Sequence, residues 1–155
     1  MVFMRRSVLP VLVLLGLLAS APLAQASDRS LEHAIAPYKG RLTSDIGYLA
    51  NFSAPSRHSA PGVQTRVARI LGDLAGVTSA ANSQHASSNS VRHGQSLVLS
   101  ALHYATLAAD DARVSAGAAR SGNGAGARND ARAEQHQINR AIPLFESGGR
   151  LLHLF

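Results

Sequence analysis

The strongest constraint on the fold is a spacing. From residue 31 onward, apolar side chains recur every three or four positions, beginning with Leu31, Ile35, Tyr38, Leu42, Ile46 and Leu49. Steps of 4, 3, 4, 4 and 3 place all six on one stripe of an α-helix and on alternating faces of no strand. Ser30 is a fair N-cap for this helix, and Pro37 either kinks it or restarts it at a first helical position. The turn-forming run Ser53–Gly62 follows Phe52.

Three further stripes repeat the pattern. Val63, Val67, Ile70, Leu74, Val77 and Ala81 form the second, with Pro61 in its first turn and an end expected near Ala86. The third helix is expected from about Ser90 to Ala119, with Leu97, Val98, Ala101, Ala105, Ala108 and Ala112 on one face. Leu99 and Leu102 fall on another face, so this helix is expected to be covered on most of its circumference, and its small residues to admit close neighbours. Ser121–Asp130 reads as a glycine-rich linker. The fourth stripe carries Ala127, Ala131, Ile138, Ile142 and Phe145, with Pro143 expected to kink or end it and Ser147-Gly148-Gly149 to break it. The tail Arg150–Phe155 is expected to pack back as an apolar plug through Leu151, Leu152, Leu154 and Phe155. Short connections favour antiparallel neighbours. The expected fold is therefore all-α, an antiparallel four-helix bundle of up-down or closely related topology.

The first residues bear on location. Arg5 and Arg6 precede an apolar run from Val8 to Leu18, and Ala24-Gln25-Ala26 closes the segment. This is the three-part pattern of a secretory signal peptide, with cleavage expected after Ala26. The apolar run is short for a spanning helix, and the mature chain has no transmembrane segment of its own. The expected organisation is a leader over 1–26 and one helical domain over 27–155, periplasmic or extracellular.

Composition then excludes chemistry. The chain has no cysteine, which removes disulfides, thiolate metal sites and covalent c-type haem. Met1 and Met4 leave with the leader, so no thioether remains to ligate copper or haem iron. Arg5 and Arg6 leave as well, so thirteen basic residues face nine acidic ones, a net charge of +4. The arginines are scattered singly, which argues for a solvated mixed surface and against nucleic acid.

The candidates for chemistry are few. His85 and His93 flank the expected turn between the second and third helices and are the best-placed pair for a metal. Two imidazoles make half a tetrahedral site, and no acidic residue lies between Ala75 and Tyr104 to complete it, so no metal ligand is assigned. His103 lies more than two helical turns beyond His93, on a strip with Ser96, Ser100 and Asp110. His33, His58, His136 and His153 are dispersed, and there is no Glu-x-x-His pair. Gly122-Asn123-Gly124-Ala125-Gly126 precedes a helix but lacks the Lys-Ser/Thr of a P-loop. Asp110 and Asp111 diverge by about 100° on a helix and cannot work as an acid–base pair. There is no Gly-x-Ser-x-Gly, Ser-x-x-Lys or His-Glu-x-x-His motif.

The sequence thus leads to the expectation of a small exported helical bundle, non-enzymatic and without a cofactor, that binds or scaffolds another envelope macromolecule. The partner is a protein or a second copy of the chain. Two alternatives stand beside this: a histidine-based metal or haem carrier, and an electrostatic binder of anionic envelope polymers or surfaces.

Overall fold

A computed structural model describes residues 29–154. The expected leader, its cleavage site and the terminal Phe155 lie outside the described residues. The described part is all-helical, with no strand among the described residues. Residues 29–35 are helical, and a 3-10 turn at Ala36–Tyr38 carries the chain into helix α1 (Lys39–Ala50). Helices α2 (Ala60–Asn82), α3 (Asn89–Arg120) and α4 (Gly124–Leu151) follow. None of them is long and apolar enough to cross a membrane.

Local chemistry explains the boundaries. Pro37 sits within the 3-10 turn, where its missing N–H breaks the α-helical ladder without stopping the chain from turning. Pro61 occupies the first turn of α2, and the Ser56 and Ser59 hydroxyls lie 3.0 Å apart just ahead of it. α2 ends at Asn82, earlier than the expected Ala86, because Ser83–Ser88 forms the connection and Ser88 caps α3. The Ser88 hydroxyl accepts from the Val91 amide at 3.3 Å.

The fourth helix departs most from the sequence reading. The Ser121–Asp130 linker is only three residues long, because α4 begins at Gly124. Gly122 takes a left-handed φ of 84°, and the Asn123 side chain accepts from the Gly126 amide at 2.9 Å. A Cβ on residue 126 would lie 2.5 Å from the Asn123 side chain, so glycine makes room for the cap. Those glycines build a capped helix start, in which the Gly124 amide donates to the Gly122 carbonyl and the Ala127 amide to that of Asn123. Pro143 lies inside α4 on its exposed side, and the helix continues past it. Ile138, Ala141, Gly148 and Gly149 are buried on either side of it, which offsets the one hydrogen bond a proline removes.

Gly148 and Gly149 do not break α4: both are buried, and Gly148 is a point of contact with α3. A Cβ on residue 148 would lie 2.8 Å from Val98 Cγ2 and 2.9 Å from the Gly94 carbonyl oxygen. Reciprocally, a Cβ on Gly94 would lie 2.9 Å from Leu151 Cβ. Two backbones meet here with no side chain between them. At the other end of the pair, the buried Ser115 hydroxyl donates to the Ala127 carbonyl at 2.7 Å. α3 and α4 therefore run side by side in opposite directions and share the largest interface in the molecule. α2 packs on α3, and α1 touches all three other helices with much less contact. The core joins Leu31, Ile35 and Leu49 to Val67, Ile70, Leu74, Val98, Leu102 and Ile138, and Leu152 and Leu154 plug one end.

Candidate functional site

Two features stand beside α1: buried carboxyls and an open apolar cleft.

Glu134 stands on the buried stripe of α4 between Ala131 and Ile138 and has no solvent exposure. Its Oε2 accepts from Gln135 Nε2 at 2.8 Å, while its Oε1 is buried without a hydrogen-bond partner. The same Gln135 amide donates to the Leu49 carbonyl at 3.1 Å and lies 3.4 Å from that of Phe52. It thereby ties the end of α1 to α4. Burial pushes the Glu134 carboxyl up to about 7, and the Asp111 carboxylate adds to this while the Gln135 donor opposes it. Tyr48 of α1 lies close enough for a charged Glu134 to raise its hydroxyl's pKa, although burial is the larger cause. The Arg66 guanidinium from α2 sits 4.1 Å above the Tyr48 ring.

Asp45 on α1 is the second buried carboxyl, at 2% exposure. Its Oδ1 lies 3.8 Å from the well-exposed Arg69 guanidinium, and its Oδ2 has no partner. Burial raises its pKa, Asp73 raises it further, and Arg69 and Arg66 oppose the rise. Asp73 itself pairs with Arg41 at 3.1 Å. The sequence reading missed both carboxyls, although spacing could have found them. Asp45 is three beyond Leu42 and four before Leu49; Glu134 is three beyond Ala131 and four before Ile138. Each fills a core position of its stripe.

The apolar cleft has a volume of about 370 Å³. Leu42, Ile46 and Ala50 of α1 form one wall, Ile142 and Phe145 of α4 the other, and the buried Val98 of α3 the floor. Ile35 and Leu154 line it as well, and Lys39, Thr43 and Glu146 supply polar groups. The lining positions step by three and four along both helices, so the cleft is a trough that follows the α1–α4 seam.

The histidines take no part in either feature. All seven are exposed. His85 lies in the α2–α3 connection and His93 in the early part of α3. His103 stands on the outer face of α3 with its ring 5.6 Å from that of Tyr104, beside a groove that also involves Ser96 and Ser100. Among the described residues, no three His, Cys, Asp or Glu side chains form a group able to hold a metal ion. Asp110 pairs with Arg113 at 3.0 Å. Asp111 has its pKa raised by burial first, then by Asp130 and Asp110. All three tyrosines carry an arginine near the ring face: Arg41 at Tyr38, Arg66 at Tyr48 and Arg140 at Tyr104.

The fold and site define an all-helical protein with a sealed pair of long helices and a shorter helix bordering an open apolar cleft. No family model, curated protein or solved structure matches the chain.

Proposed function

We propose that this chain is an exported, up-down antiparallel helical-bundle protein, not an enzyme, that binds an amphipathic helix of an envelope protein in the trough between α1 and α4. The observation that carries the reading is the cleft of about 370 Å³, with aliphatic and aromatic walls and Lys39, Thr43 and Glu146 among its lining residues. A volume of this size accepts roughly three aliphatic side chains, which is what one face of a partner helix presents at i, i+3 or i+4, and i+7. The trough runs along about three turns of α1, or roughly 16 Å, matching a short helical segment. Lys39 and Glu146 bring charges of both signs, which suits the mixed polar flank of a peptide better than a uniformly anionic surface. Glu134 is sealed from solvent, which favours a structural over a catalytic role for that carboxyl.

The test uses the absence of native cysteine. A photoreactive maleimide on Thr43→Cys, at an exposed cleft-lining position, is crosslinked in intact cells producing the full chain, with cell fractionation run alongside. The expected result is one discrete protein adduct in the exported fraction, lost when Ile46→Glu places a charge in the trough. Lipid adducts alone, no adduct, or an adduct indifferent to Ile46→Glu would overturn the reading, and a cytoplasmic location would overturn export.

A further inference from the structure

We infer that Glu134 is a protonation-sensitive latch for α1: neutral, its carboxyl lies in the core beside the Gln135 amide that holds the end of α1; ionised, it loosens that attachment. This concerns the bundle itself and holds whether or not the cleft has a partner.

The geometry contains every part of the device. Glu134 is fully buried where the elements meet, with one side-chain donor on Oε2 and none on Oε1. A neutral carboxyl tolerates that poverty of donors; a carboxylate does not. From α3, Asp111 faces it with the same sign of charge, and Asp130 of α4 lies within reach of Asp111. From α1 the facing group is Tyr48, whose ring holds the Arg66 guanidinium of α2. The donor that does reach Glu134 also binds the Leu49 and Phe52 carbonyls, so a change of charge on the carboxyl acts on the amide that anchors α1. α1 is the helix with the least contact to its neighbours and so the one a local change can release.

The sign follows from proton linkage. The ordinary carboxyl titrates near 4.5, and the folded one near 7. Below about 4.5 both folded and unfolded chains hold the proton, and Glu134 contributes no pH dependence. Between about 4.5 and about 7 the unfolded chain releases the proton first, so stability falls as pH rises, and above 7 the loss is complete.

The experiment measures urea unfolding of the processed chain from pH 4.5 to 8.5 for the wild type and Glu134→Gln, with Glu134→Met as a second neutral variant should the amide pack poorly. Trypsin nicking at pH 8 supplies the local readout. Relative to the variant, the wild-type folding equilibrium constant should fall by on the order of a hundredfold between pH 4.5 and 8. At pH 8, wild-type cleavage after Arg41 should also be faster than in the variant, while cleavage after Arg113 on α3 changes less. A wild-type-to-variant ratio that is the same at both ends of the pH range for both variants would overturn the inference. So would cleavage that changes equally on α1 and α3.

Discussion

The α3–α4 pair and the α1–α4 contact share one helix and are built in opposite ways. α3 meets α4 through small residues: Gly94 and Gly148 at one end, and Ala112, Ala116 and Ala127 toward the other, all buried. Its internal polar link, Ser115 to the Ala127 carbonyl, is satisfied at 2.7 Å. α1 meets α4 through larger side chains that leave a trough between them, and Asp45 of α1 and Glu134 of α4 each keep a buried carboxyl oxygen without a hydrogen-bond partner. A core that brings backbones together with no side chain between them is hard to open. One that rests on an amide shared between two carbonyls and a carboxyl is, on our inference, loosened when that carboxyl loses its proton. Close packing against α3 and a looser contact with α1 are thus carried by one helix.

The largest break in that contrast comes from filling the close approach. Gly148→Val puts a Cβ against the Gly94 carbonyl and the Val98 backbone amide, where no rotamer can yield. A loss of about 3 kcal/mol or more is expected, at the upper end of the overpacking range, read from the urea midpoint by circular dichroism. A midpoint shift of less than half that size would mean the two helices are further apart than described. A smaller and sharper effect separates two matching glutamines. Gln95 Nε2 donates to the Ala81 and Gln84 carbonyls at 2.6 and 2.9 Å and closes the end of α2, as Gln135 closes α1. Gln135→Ala also strips Glu134 of its donor, so it should cost about 2 kcal/mol, against about 1 kcal/mol for Gln95→Ala, which frees carbonyls alone. Equal losses would show that the Glu134 contact carries no weight.

Much of this architecture was legible as periodicity. Leu31, Ile35, Leu42 and Leu49 of the first stripe are buried, as are Val67, Ile70, Leu74, Val77 and Ala81 of the second. The second face expected for the third helix is present too, with Leu102 buried and Leu99 partly so. The helix ends were less legible, because Gly122 to Gly126 has loop composition while Asn123 supplies a cap that starts a helix there. Pro143 and the Gly148-Gly149 pair have helix-breaking chemistry in isolation, and only their position against α3 or on the open side of α4 reverses the reading. The buried carboxyls escaped for a related reason. Acidic residues are usually solvated, so Asp45 and Glu134 were passed over although their spacing placed them in the core stripes. The trough was not legible at all. Its walls are ordinary stripe residues, and whether two stripes seal or gape depends on tertiary packing.

The account rests on α1 being held less firmly than the α3–α4 pair, and native-state amide hydrogen exchange tests this most directly. In the protein at pH 7, the amides from Leu42 to Leu49 should exchange through a local opening well below the free energy of global unfolding. Those from Val98 to Ala112 should exchange only when the whole chain unfolds. Equal protection across the two segments would contradict the account.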